Sequence, residues 1–129
     1  MTAAIRPPAV LLVEPQFVMR RTMVAVAREL GLVEFHEASS IARALPLLET
    51  RRFGGMVLDM DDGSEALTLL ERVRAGEFMC RPDLPVVALT FPVSAAAASR
   101  LETLKPLRTL DKPFKVRELL ASVALMAHA

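Results

Sequence analysis

Residues 55–63 read GMVLDMDDG: four residues without a charge, then Asp59, Asp61 and Asp62 in close succession, then Gly63. An apolar run that stops this abruptly at an acidic, glycine-closed cluster reads as a buried strand running into a polar loop. Downstream, Asp62 with Glu65 resembles a capping box, Leu67, Leu70 and Val73 then face one way, and Gly76 closes a helix. Pro85 to Thr90 (PVVALT) is a further strand, Ser94 to Leu104 a helix, Leu107 to Leu110 a strand and Val116 to Met126 a last helix. Upstream, Val10 to Val13 is a short apolar strand behind two prolines. Met19, Met23, Val26, Ala27 and Leu30 recur at helical spacing, with Arg20, Arg21, Arg28 and Glu29 carrying charge and Gly31 as the stop. Val33 to Ala38 is a weakly alternating strand, and Ser39 and Ser40 precede a helix marked by Ile41, Leu45 and Leu48.

The result is a strand followed by a helix, five times over. Strict alternation with continuously apolar strands predicts an α/β domain whose parallel sheet is covered on both faces. Ligand chemistry in such sheets lies beyond the carboxyl ends of the strands. The polar residues at those ends are Glu14, Asp59, Thr90 and Lys112, scattered in sequence and expected to converge in space.

The bulk composition limits the function. A chain of 129 residues, 53% hydrophobic and 24% charged, is expected to form one domain over 1–129, with its core at about 9–127. Only Ala127, His128 and Ala129 follow the last helix, so no output domain is expected. Sixteen Lys and Arg against fifteen Asp and Glu leave a net charge of +1, which argues against nucleic-acid binding. The apolar runs are too short to span a membrane and no secretory signal is evident, so a cytoplasmic protein is expected. Cys80 is the one cysteine and reads as a core or loop thiol.

VLLVEPQ, HEASS with IARALPLLE, VLD, PVVALT and LDKPF together resemble the receiver domains of bacterial response regulators, from Val10 to about Met126. LDKPF is the most specific of these. The resemblance implies a flavodoxin-like, doubly wound five-stranded parallel sheet in the order 2-1-3-4-5, with the first and fifth helices on one face and the other three opposite. It implies a signalling module of two-component phosphorelays rather than an enzyme. Asp59 would be the phosphoacceptor for a histidine kinase or histidine phosphotransfer protein. Thr90 would hydrogen-bond a phosphoryl oxygen, and Lys112 would pair with the carboxylate and then the phosphoryl group. The peptide before Pro113 is usually cis in this family.

The chain also departs from the family. Two carboxylates normally follow the first strand and hold magnesium with the phosphoacceptor; here they are Glu14 and Pro15. The expected metal set is therefore Glu14 and Asp59, weakened by Pro15, with Asp61 a further candidate and weak Mg2+ binding the outcome. The more ordinary role of Asp61 and Asp62 is to cap the following helix. The loop after Asp59 is short, and Thr109 stands where the family usually has a Tyr or Phe. Phe91 and Phe114 are candidate substitutes, although packing is the commoner role of such a ring.

Three functions follow from these residues. One is a working single-domain phosphoreceiver. The second is a pseudo-receiver, a protein-binding module that works without phosphorylation, favoured by Pro15, the short loop and Thr109. More remotely, VLDMDDG resembles the aspartate motif of haloacid-dehalogenase-type phosphatases, although after Lys112 only Glu118 could supply the later acidic pair. Two surfaces are candidates for partners. Arg20 and Arg21 on the first helix suit a phosphotransfer partner. Arg100, Arg108, Lys115 and Arg117 with Glu102 and Glu118 suit a weak homodimer through the fourth helix, fifth strand and fifth helix.

Overall fold

In the computed structural model, residues 7–61, 64–91 and 94–128 are described. The elements are β1 (Ala9–Val13), α1 (Phe17–Leu30), β2 (Glu34–Ala38), α2 (Ile41–Thr50), β3 (Gly55–Asp59), α3 (Glu65–Arg74), β4 (Val86–Thr90), α4 (Ala95–Thr103), β5 (Arg108–Asp111) and α5 (Val116–Ala124), which runs on into a 3-10 turn at Leu125–His128. All strand pairs are parallel and the sheet order is β2-β1-β3-β4-β5. Sequence and structure agree on every element, with boundaries shifted by a residue or two.

Successive strand residues serve opposite faces of the sheet, which is why the central strands show no polar alternation. Leu11, Val13, Met56, Leu58, Val86 and Ala88 pack against α2, α3 and α4 through Ala44, Leu48, Leu69, Leu70 and Leu101. Val10, Leu12, Val57, Val87 and Leu89 pack against α1 and α5 through Met23, Val24, Ala27, Leu119 and Val123. The helices divide between the faces as expected. Cys80 is buried in the first of these cores, where loss of hydration raises its thiol pKa and keeps it neutral.

Helix ends follow local chemistry. Gly31 adopts φ +63° after α1, and its N–H closes on Ala27 and Arg28 carbonyls; an L side chain is disfavoured there. The Ser40 hydroxyl accepts from the N–H of Arg43 at the start of α2, and Ser94 does the same for Ala97 at α4. Ser64 precedes α3 without a side-chain cap. Asp62, the expected cap, lies outside the described residues.

One cation ties the far end of the sheet together. The Arg74 guanidinium donates from Nε to the Leu104 carbonyl at 2.7 Å, from Nη1 to Pro82 and Leu84 at 2.9 and 2.8 Å, and from Nη2 to Lys105 at 3.3 Å. It thus joins the end of α3 to the turns that lead into β4 and β5. Arg74→Ala is expected to cost about 2 kcal/mol in urea unfolding, with Arg74→Lys recovering only part, since an ammonium lacks the planar fork. A loss below about 0.5 kcal/mol would show that the clamp carries no stability.

Candidate functional site

The parallel order puts β1 beside β3, so the residues leaving these strands meet at one end of the sheet. Glu14 follows β1, Asp59 ends β3 and Lys112 follows β5; with Asp61 they line a cleft of about 460 Å3 whose rim includes Pro15, Phe91 and Pro113. A larger hollow of about 780 Å3 lies at the opposite end, near Pro8, Gly54 and Pro85, away from this cluster. The chemistry therefore belongs to the smaller cleft.

Lys112 is the hub. Its Nζ donates to Asp59 Oδ1 at 2.5 Å and to Asp61 Oδ2 at 3.0 Å, and it lies 3.2 Å from Glu14 Oε1. The last contact is an ion pair whose angles do not make a hydrogen bond, so the buried Glu14 Oε1 has no hydrogen-bond partner among the described residues. Its other oxygen accepts from the N–H of Gln16 at 3.1 Å. The peptide between Lys112 and Pro113 is cis, as the resemblance implied.

Burial sets the electrostatics. Asp59 is only 4% exposed, and loss of hydration pushes its carboxyl pKa from 3.8 up to about 6. Lys112 pulls it back down, by hydrogen bond and by charge, while the nearby carboxylates of Asp61 and Glu14 push it up. Burial also opposes the charge of Lys112, but Asp59, Asp61 and Glu14 outweigh it and hold the ammonium above its ordinary pKa. Both partners of one ion pair are thus raised. A cation facing several carboxylates is held firmly, whereas each carboxylate has only a share of one cation.

Asp61 does not cap α3. Its Oδ1 accepts from the Phe91 N–H at 3.1 Å while its Oδ2 holds Lys112, so it bridges the loops after β3 and β5 and the end of β4. Phe91 sits exposed beside the Lys112 ammonium, 5.5 Å from ring centre to nitrogen, whereas Phe114 packs against the α1 and α5 core. Thr109 pairs in register with Ala88 and is exposed. Thr90 is buried at the end of β4, but its hydroxyl donates to Asp111 Oδ1 at 2.9 Å. Asp111 is the residue that sequence reasoning missed, although it stands immediately before Lys112 in LDKPF.

Arg20 and Arg21 are less available than their sequence positions suggested. Both pair with Glu37 on β2, and Arg20 also donates to the Glu14 carbonyl at 2.9 Å. The exposed large hydrophobics of that corner are Phe17 and Val18, 65% and 73% accessible. Arg100 is likewise committed, to Glu71 on α3.

Among the described residues, no group of three His, Cys, Asp or Glu side chains forms a ready cage for a metal. Yet Glu14 Oε1, buried near Asp59 and accepting no hydrogen bond among the described residues, is an oxygen suited to a hard cation. Glu14 and Asp59 are the residues that would hold such an ion, with Asp61 at the rim; Pro15 contributes no side-chain oxygen.

An acidic cleft at the carboxyl ends of a 2-1-3-4-5 parallel sheet, with a lysine reaching in from behind β5, defines the receiver class. The chain belongs to the response regulator receiver domain family, whose model matches residues 10–124. Solved structures agree on the fold. A CheY-like receiver from Methanospirillum hungatei superposes with a TM-score of 0.82 at 18% identity, covering 95% of this chain and 94% of that one. The receiver domain of Francisella response regulator 1452 gives 0.79 at 22% identity, over 94% and 97% of the two chains. The Vibrio cholerae chemotaxis protein CheY4 gives 0.78 at 20%, over 93% and 98%. No curated protein matches the chain.

Burial of the Asp59 carboxylate has a consequence for stability. A folded pKa raised from 3.8 to about 6 gives stability that is fully present below 3.8 and lost as pH rises through 6. Asp59→Asn should therefore unfold later than the parent at pH 7.5 in metal-free buffer, by about 2 to 3 kcal/mol, with the gain gone below about pH 4. Equal stability at pH 7.5 would contradict the raised pKa.

Proposed function

We propose that this receiver accepts a phosphoryl group on Asp59 from a histidine kinase or histidine phosphotransfer protein in the cytoplasm, and signals through the changed surface. The observation that carries the reading is the Lys112 ammonium 2.5 Å from the buried Asp59 carboxylate. An Asp59 oxygen attacks phosphorus, the P–N bond of the donor's phosphohistidine breaks, and the departing imidazole takes a proton from solvent. Burial disfavours the Asp59 charge, so the carboxylate is a reactive nucleophile, and Lys112 keeps it ionised and aimed. The same ammonium then faces the added phosphoryl charge without having to be brought in from solvent. Mg2+, held by Glu14 and Asp59 with Asp61 near, would supply further neutralisation of phosphoryl oxygens, weakly because of Pro15. Phe17 and Val18 offer a donor protein an apolar docking edge beside the cleft.

Specific observations also favour the pseudo-receiver reading. Lys112 is already ion-paired with three carboxylates, the Thr90 hydroxyl is engaged by Asp111, and Pro15 withholds one ligand. Incubation with acetyl phosphate and magnesium, followed by intact mass, separates the two. The phosphoreceiver gains one phosphoryl group, Asp59→Asn gains none, and Pro15→Asp reaches the same yield at lower magnesium. No gain in the parent at any magnesium concentration would favour the module that works without phosphorylation.

The α4, β5 and α5 face is proposed as a weak two-fold contact. Arg108, Lys115, Arg117, Glu102 and Glu118 are all exposed there and supply both signs. Sedimentation of the parent should show a dimer fraction that rises with concentration and is lost in the Arg108→Glu, Arg117→Glu double variant. A parent that stays monomeric at high concentration would end this proposal.

A further inference from the structure

The Thr90 hydroxyl carries one proton and can donate it to one acceptor at a time. Here that acceptor is Asp111 Oδ1, at 2.9 Å. Thr90 is 4% exposed, whereas Asp111 is exposed, so the bond runs from a buried strand end to the surface of an edge strand. Thr90 and Asp111 are register partners of β4 and β5, and the Lys112 N–H donates to the Thr90 carbonyl at 2.6 Å. The two strand ends are thus tied twice, once through the backbone and once through this side-chain pair.

We propose that Asp111 is a positioning residue that holds the Thr90 hydroxyl in a resting arrangement, so that loading of Asp59 must first break the Thr90–Asp111 bond. The proposal rests on the reading of Asp59 as phosphoacceptor and adds the element that opposes it. Charge strengthens the bond, because a carboxylate accepts more strongly than a neutral oxygen. Breaking it has a visible result. Asp111 and Thr109, two residues apart on β5, border the same groove of about 500 Å3 beside Leu101 and Glu102 of α4. When the hydroxyl turns to a phosphoryl oxygen, the Asp111 carboxylate loses its partner in this groove. A partner carrying a basic group can then read its charge. With Thr109 providing no ring on this strand, the freed carboxylate is the change that the α4 and β5 surface displays.

The test uses fluoroberyllate with magnesium as a phosphoryl mimic, bound to the full chain. Asp111→Ala should lower the half-saturating fluoroberyllate concentration about fivefold, equivalent to about 1 kcal/mol. Asp111→Asn, a neutral acceptor of the same shape, should fall between the two. In a Thr90→Val background the Asp111→Ala gain should vanish, which a merely structural role of Asp111 would not produce. Three-bond couplings to the Thr90 methyl give a second readout without any mimic, and Asp111→Ala should redistribute the Thr90 χ1 rotamers. Unchanged or weaker fluoroberyllate binding in Asp111→Ala, with the parent binding, would overturn the proposal alone, as would unchanged rotamers. If no variant binds fluoroberyllate although the rotamers shift, the Asp59 reading fails and the proposal falls with it.

Discussion

One ammonium among three carboxylates holds the functional end of this molecule together. Glu14, Asp59 and Asp61 come from two strand ends that the parallel order makes neighbours, and without a cation between them their charges would repel in a poorly hydrated cleft. Lys112 is supplied from the far side of β4, so the arrangement joins three of the five strands. Removing the ammonium would leave three carboxylates close together and uncompensated, which is why the cluster depends on Lys112. The raised pKa of Asp59 records its burial first, with Lys112 only partly offsetting it and the neighbouring acids Asp61 and Glu14 adding to it.

The same arrangement explains how the site tolerates Pro15. A cleft that depended on a divalent ion to hold its carboxylates would lose its geometry along with a ligand. In this chain the ammonium already organises them, and Asp61 adds an acid on the opposite rim while tying down the Phe91 backbone. In the proposed phosphoreceiver the cost falls on the chemistry, because a phosphoryl group would compete for a cation that is already engaged. Both Lys112 and Thr90 begin bonded to carboxylates, so the resting state is stabilised on two sides.

The fold was legible because its signals are local and repeated. Apolar runs such as VLLV and VVAL, the Gly31 stop and the Ser40 cap each act within a few residues, and the alternation of strand and helix restricts how they can be assembled. Glu14, Asp59 and Lys112 were legible as a set because the carboxyl ends of parallel strands share one edge of the sheet. Side-chain direction was not. The most economical reading of Asp61 was a helix cap, yet its carboxylate turns to Lys112, since a buried ammonium outweighs the N-terminus of a helix that begins at Glu65. The Arg20 and Arg21 pair read as a free basic patch, but Glu37, remote in sequence, engages both. Asp111 escaped notice because its partner Thr90 lies on another strand and only the β4–β5 register brings them together.

The functional end of the molecule rests on a buried Asp59 carboxylate that shares one ammonium with two other acids. The most direct measurement is a titration of the Asp59 side-chain carboxyl carbon by 13C NMR in metal-free buffer, with Asp59→Asn used to assign the signal. A midpoint near 6 is the expected result. A midpoint at or below about 4, the range of a hydrated aspartate, would contradict it.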